Sequence, residues 1–535
     1  MVSPLLLAAL AACGPAPRTQ PAPADGPAPL ADLALLSRIS LDLRGVRPSA
    51  AELDAVAADP AALDTLAADF LYDPRFGERI LSIYADIYLT RPESFVVDAN
   101  GDAAFLDPFT KQAFIRSVGE EPLRLLARIA TDDLPYTTVV TADWTIADDA
   151  LIAAFPLEAI EEGTGWRKAR YTDERPAAGI LATNGLWWRY TTTLVNANRG
   201  RAEMVAKNLL CDNRFDHPVA FGGSGGASFE DRVREDNACI ACHATLDPLG
   251  AFLYGFFRMH PESYSEATRY YPERETLWDA FSVAPAYYGA PAEALPGLAG
   301  LIAADPRFPN CAVEQGFRAV MGRTPGVADT TALTAARAAF LDGGVTLRAL
   351  YGALVADPRY RSADPDWPGT VGPKRMSPDQ LAASIEALTG FRWVYEGLDM
   401  LSTDTYGVRV LAGGADGVVV TQPATSHSTS SALVTAWLAE AAARHAVAAD
   451  LAAAPDQRAL FVFAPPNAIP APAAQRAQLQ HLVRLAHGRD LRADDPDLAA
   501  LAALWDDVNA DTGDPDTAWA AVLAGLLRHP DFLHY

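Results

Sequence analysis

The 535-residue chain is short of basic residues, of cysteine and methionine, and of long apolar runs. Only 43 Lys and Arg stand against 67 Asp and Glu, a formal net charge of −24. Such a field argues against nucleic acid and against an anionic membrane surface as partners. It suits a cationic redox partner, or simply keeps the surface solvated. No segment downstream of the N-terminus reaches about 18 uninterrupted apolar residues, so no transmembrane helix is expected. Phosphate loops and dinucleotide fingerprints are also missing. Half of the chain is nevertheless apolar, with alanine dominating. That composition predicts a helix-rich globular protein, long enough for about three domains.

Five cysteines are few enough to consider one by one. The stretch Leu5 to Cys13 is apolar and ends in Leu10-Ala11-Ala12-Cys13. It looks like a bacterial lipobox, with residues 1–13 as a removable signal and Cys13 as the lipidated N-terminus. Met1-Val2-Ser3 departs from that pattern by carrying no Lys or Arg. The alternative is an ordinary apolar N-terminus with a chance cysteine. Residues 14–30 are rich in Pro and Ala and read as an extended tether. On this reading membrane contact comes through lipid alone, and the protein is exported into the cell envelope, facing periplasm or exterior.

Cys239-Ile240-Ala241-Cys242-His243 is C-x-x-C-H, the attachment signature of c-type haem. Two thiols three residues apart on a helical turn can add to the two vinyl groups of one porphyrin. The following histidine is then held under the iron as proximal ligand. Haem of this kind is joined outside the cytoplasm, which agrees with an export signal. A redox dithiol is less suitable, because no βαβ context surrounds the motif. A zinc site lacks a second Cys/His pair at metal spacing. Cys211 and Cys311 remain, and in an oxidising compartment two leftover cysteines favour a disulfide over two buried thiols. By the chain-entropy argument such a bridge stabilises by roughly 4 to 5 kcal/mol.

The opposite face of the haem is less determined. Met259 is the tentative distal ligand; His260, Met321, Met204 and His217 are alternatives, and so is an open position. A thioether closes the iron and raises its potential, whereas an open position permits peroxide chemistry. Arg199, Arg201, Arg232 and Arg234 are candidates to pair the haem propionates, or are ordinary solvated arginines. Asp247-Pro248 is expected to turn the chain under the haem edge.

The fold class expected is mainly α: several helical subdomains, a cytochrome c-like haem segment and one small β-hairpin. Ser49-Ala50-Ala51-Glu52 is a capping box. Ser377-Pro378-Asp379-Gln380 opens another helix, with Leu381, Ile385 and Leu388 at helical spacing and Gly390 as its stop. Asp73-Pro74-Arg75-Phe76 recurs as Asp305-Pro306-Arg307-Phe308 and Asp357-Pro358-Arg359-Tyr360, with His529-Pro530-Asp531-Phe532 as a degenerate copy. Proline breaks the preceding helix, the first residue caps the next, and the aromatic fastens the joint to the core. Alternation and glycines over Tyr406 to Thr421 predict the hairpin. The expected divisions are 31–198, a haem-bearing domain at 199–365, and a C-terminal domain at 375–535. Gly222-x-Ser224-x-Gly226 reads as a glycine loop rather than a hydrolase elbow. His481 and His487 share a helix without metal spacing.

Several stretches resemble the large secreted cytochrome-like proteins of planctomycetes and myxobacteria, built from domains of unknown function. Cys239-x-x-Cys242-His243 continuing to Asp247-Pro248-Leu249-Gly250 matches their extended CxxCHxxxDPxG signature. Arg199-Gly200 leading to Asn208-Leu209-Leu210-Cys211 is similar to their RG…NLLC segment, and Cys311 with Ala319 to Arg323 to a C…YALGR segment. Leu41-Asp42-Leu43-Arg44-Gly45-Val46-Arg47-Pro48-Ser49 and the closing Leu527 to Tyr535 resemble the opening and ending of a related module. The chain departs at Leu253-Tyr254-Gly255-Phe256-Phe257 and at Phe221 to Gly226. The resemblance implies covalent haem and export but no substrate. The function expected is an exported c-type cytochrome-like lipoprotein with one haem c, passing single electrons to an unidentified redox partner. The alternatives are a haem-dependent, peroxidase-like oxidoreductase with an open distal site, and a non-haem helical binding scaffold whose C-x-x-C forms a local disulfide.

Overall fold

The opening helices follow from their caps. In the computed structural model, α1 (Asp32–Arg44) ends at Gly45, whose φ of 70° is the left-handed stop that glycine adopts freely. Ser49 and Glu52 form the capping box of α2 (Ala50–Ala58). After α3 (Ala62–Phe70), Asp73 caps α4 (Pro74–Tyr88) by accepting the Arg75 amide. The other Asp-Pro-Arg joints are built alike, Asp305 accepting from the Arg307 amide and Asp357 from that of Arg359. Their aromatics Phe76, Phe308, Tyr360 and Phe532 are all buried. The described residues are 28–91, 111–213, 237–259, 266, 269–364, 367 and 369–535. Cys13, residues 14–27, His217, the 222–226 loop, Arg232, Arg234 and His260 lie outside them.

The fold is mainly α, with a few small antiparallel strand pairs. Helix α5 (Lys111–Thr131) packs along α4 and against a three-stranded sheet of β1 (Thr145–Ala147), β2 (Leu157–Ala159) and β3 (Arg167–Tyr171), in the order β1-β3-β2. Three to five residues per strand are too few for a period-2 signal to stand out from the alanine-rich background. Then come α6 (Arg199–Met204), α7 (Asn237–Ala251) and α8 (Arg307–Met321). The C-terminal part adds α9 (Pro378–Thr389), α10 (Thr429–Ala452), α11 (Pro472–His487), α12 (Pro496–Thr512) and α13 (Pro515–Arg528). Ala439, Ala442, Ala443 and Ala446 are buried, and these small side chains let α10 lie close against α13. Among the described residues no helix is long and apolar enough to cross a membrane.

One hydrophobic cluster runs from Leu35 to Leu533, through all three expected divisions. Parts of the chain far apart in sequence are tied together within it. Asp42, 1% exposed, accepts from Lys374 Nζ at 2.5 Å, Tyr360 Oη at 2.8 Å and Tyr535 Oη at 3.0 Å. Lys374 and Tyr535 also exchange backbone hydrogen bonds. Arg47 donates to the carbonyls of Asp531 and Phe532 and lies over the Phe532 ring.

The expected hairpin over Tyr406 to Thr421 does not form. That stretch holds a short helix, Val408–Leu411, and a turn built around Asp416. Asp416 Oδ1 accepts from the amides of Val418, Val419 and Val420, each at 2.8 Å. Donors engaged by one carboxylate cannot also pair with a strand. The hairpin of this region lies earlier, Val394–Tyr395 against Leu398–Asp399.

Candidate haem-attachment site

Helix α7 carries the C-x-x-C-H motif. On a helix, residues three and four apart share a face, so Cys239 neighbours both Cys242 and His243, and His243 neighbours Asp247. Cys239 and Cys242 are free thiols, neither fully buried; Cys242 packs against the edge of the main core. The helix continues through Pro248 to Ala251. Asp247-Pro248 therefore makes no turn, because proline stays within a helix that is held from outside. Asn198 Nδ2 donates to the Gly250 carbonyl at 3.2 Å, and a Cβ on Gly250 would approach Ala197 O to 3.2 Å. The Arg199-Gly200 segment and the Asp247 to Gly250 segment thus interlock.

This close approach sets the electrostatics. Arg199 grips Asp247 with two bonds, Nε to Oδ1 at 2.7 Å and Nη2 to Oδ2 at 3.0 Å. Asp247 Oδ1 lies 3.0 Å from His243 Nδ1, i to i+4 along the helix. Burial opposes ionisation of Asp247, but the bonds from His243 and Arg199 outweigh it and hold its carboxyl below the usual range. An ionised Asp247 only accepts, so His243 Nδ1 is the donor and carries the proton. The tautomer is fixed, and Nε2 is left with its lone pair.

The site faces a notch of about 240 Å³ lined by Ala197, Ile240, His243, Ala244 and Asp247, with Tyr254, Phe281 and Val283 opposite. Tyr254 stacks on Phe281 with ring centres 5.4 Å apart. Its hydroxyl is pushed up to about 12, by burial first and by Asp247 next. The notch is smaller than most preformed ligand pockets. It offers one apolar wall and one imidazole, against which the edge of a flat ring can rest. Neither Cys239 nor Cys242 lines this notch; the donor set of two free thiols and an imidazole with its second nitrogen engaged matches haem c attachment in residue type.

Other candidates fall elsewhere. Met259 is half-exposed, its amide donating to Glu266, and it does not line the notch. Met204 and Met321 are buried in the main core. Arg201 is not available to a propionate: it is 1% exposed, and its guanidinium donates to the carbonyls of Tyr190 and Phe256 and to Asn198 Oδ1. Burial, with Arg258 nearby, lowers its pKa to about 9. Arg199 is committed to Asp247 instead. Cys211 and Cys311 are joined with their sulfurs 2.14 Å apart, bridging a loop that contains the C-x-x-C-H motif.

Sequence reasoning overlooked Asp247 as the partner of His243, although an acid four residues after a helical histidine is the spacing that brings the two together. It also overlooked the meeting of His487, His529 and Asp531. There His487 Nε2 donates to the Leu526 carbonyl, His529 Nδ1 accepts the Asp531 amide, and Asp531 pairs with Arg489, so the cluster is closed on itself. No family model, no curated protein and no solved structure matches this chain.

Proposed function

We propose that the protein is an exported c-type cytochrome-like lipoprotein that binds one haem through Cys239, Cys242 and His243 and passes single electrons to a redox partner in the cell envelope. The observation that carries this reading is the relay Arg199–Asp247–His243, which leaves the imidazole Nε2 free on a helix that also carries two unbonded thiols. A bound haem supplies a one-electron couple there. His243 would hold the iron, and Cys239 and Cys242 would fix the ring. Asp247 keeps the proton on Nδ1 and raises the basicity of the ring, which favours the oxidised state. Arg199 keeps Asp247 ionised. Tyr254, Phe281 and Val283 exclude water from one side. On the segment leading to Ala197 and Arg199, Leu194 and Val195 are exposed at 65% and 69%, an uncharged strip for a partner to press against. A lipid on Cys13 would keep the protein at the membrane.

One observation favours the peroxidase-like alternative: among the described residues lining the notch, His243 is the only imidazole and no thioether is present. Absorption spectra of the reduced mature protein, with and without carbon monoxide, separate the two. A six-coordinate carrier gives a haem c spectrum that the gas leaves unchanged. A rapid spectral change supports the oxidoreductase, and the absence of any haem spectrum contradicts both.

A further inference from the structure

One side of helix α4 runs along the edge of the core. Arg79, Ile83, Asp86 and Ile87, at i, i+4, i+7 and i+8, line a second cavity of about 610 Å³. Across it, Gln315, Arg318, Ala319 and Gly322 form the corresponding side of α8 and its cap. The segments Pro373–Ser377 and Thr421–Thr425 close its ends. It shares no lining residue with the His243 notch. Its volume lies within the roughly 300–1,000 Å³ of small-molecule sites.

The charge of this cavity runs against that of the protein. Its charged lining is Arg79, Lys207, Arg318, Lys374 and Arg375 against Asp86 alone, in a chain of net charge −24. Some of these cations are neutralised or capped: Lys374 by Asp42, Arg318 by Glu314, and Arg375 by the carbonyls of Ala412 and Ala424. Arg79 is not. Its Nε reaches only the Asp42 carbonyl at 3.4 Å, and no carboxylate among the described residues pairs with its guanidinium. Asp86 likewise has no hydrogen-bond or ion-pair partner among the described residues. Burial first, and then Asp379, push its carboxyl up to about 6 against the pull of Arg409, Arg91 and Arg79. Gln315, 6% exposed, leaves its Oε1 without a partner. A guanidinium that no carboxylate pairs with, facing a cavity of ligand size, marks a place where a ligand can supply the anion that the fold does not.

We propose that this cavity binds a small organic acid, its carboxylate on Arg79 and its apolar body against Ile83, Ile87 and Ala319. The guanidinium fork matches a carboxylate with two parallel bonds, and the aliphatic side chains give the remainder an apolar wall. Asp86 gates the site by charge. Ionised, it repels the ligand; protonated, it becomes a donor. The groups facing it are Arg79, Arg91, Arg409 and Asp379, with Lys207, Arg318 and Arg375 around the cavity. Binding therefore tightens as the pH falls through about 6. The site is independent of the haem reading.

The test is calorimetric titration of the whole mature protein with benzoate and with inorganic phosphate, at pH 5.5 and pH 8. Benzoate is expected to bind at one site, more tightly than phosphate and several-fold more tightly at the lower pH. Arg79→Met should weaken it at least about ten-fold. Asp86→Asn should tighten binding at pH 8 and abolish the pH dependence, and it decides the matter if Arg79→Met does not fold. No benzoate binding to the wild type, phosphate binding the more tightly, or a pH dependence that survives in Asp86→Asn overturns the proposal.

Discussion

Asp42 and Asp247 are both aspartates held by a cation against the core, and their networks end differently. Asp42 receives Lys374, Tyr360 and Tyr535, and Lys374 spends a further bond on the Val320 carbonyl. These polar groups point at one another around a buried Asp42, with only the outer sides of Lys374 and Tyr535 reaching the neighbouring cavity. Asp247 receives Arg199 on one side and His243 on the other, and the chain of bonds stops at an imidazole nitrogen open to a notch. A closed network fixes the fold; an open-ended one holds a reactive atom in a defined protonation state. The same contrast separates the His487, His529 and Asp531 cluster, which is closed, from the cavity at Arg79 and Asp86, which is not.

The contrast is broken most severely at Asp42. Asp42→Ala strands a buried lysine and two tyrosine hydroxyls, and is expected to destabilise the protein by about 3–5 kcal/mol. Urea unfolding measures this. The double substitution Cys211→Ser, Cys311→Ser should cost up to the roughly 4–5 kcal/mol of the chain-entropy argument on the same assay. A reductant that opens the bridge should reproduce the loss in the wild type.

Asp86 gives a smaller effect with a sign. Its folded pKa of about 6 stands above the ordinary 3.8, so the native state binds this proton more tightly than the unfolded state does. Stability from this group falls as pH rises from about 4 to 6 and stays low above. Asp86→Asn should thus stabilise by about 1–2 kcal/mol at pH 7 and by almost nothing near pH 4. Thermal unfolding across that range checks it.

Asp247→Asn belongs at the small end for stability, about 1 kcal/mol, because both partners keep some contact with water. Its effect appears in the redox midpoint instead. Losing the anionic acceptor makes His243 a weaker donor, and the potential of the haem-loaded protein should rise. An unchanged potential with an unchanged spectrum sinks the idea that Asp247 tunes the site.

What was legible in the sequence is what is local. Ser49 with Glu52, Ser377 with Gln380 and the Asp-Pro-Arg joints act over two or three residues, and each forms its cap. The helical placement of Cys239, Cys242 and His243 is local too. The hairpin over Tyr406 to Thr421 failed because Asp416 takes the amides a partner strand needs, a competition that alternation of residue types does not reveal. The role of Asp42 depends on Lys374, 332 residues away, and that of Arg199 on Asp247, 48 away. Pairings of that reach are decided by packing of the whole chain. Asp247 was mistaken for a turn residue because proline follows it, whereas the grip of Asn198 on Gly250 keeps the helix intact.

The central claim is covalent haem on α7. The most direct measurement is the haem stain of a denaturing gel of mature protein made alongside a cytochrome c maturation system, compared with the Cys239→Ser, Cys242→Ser variant. The account predicts one stained band for the wild type and none for the variant. An unstained wild type, folded and with its Cys211–Cys311 bridge intact, contradicts it.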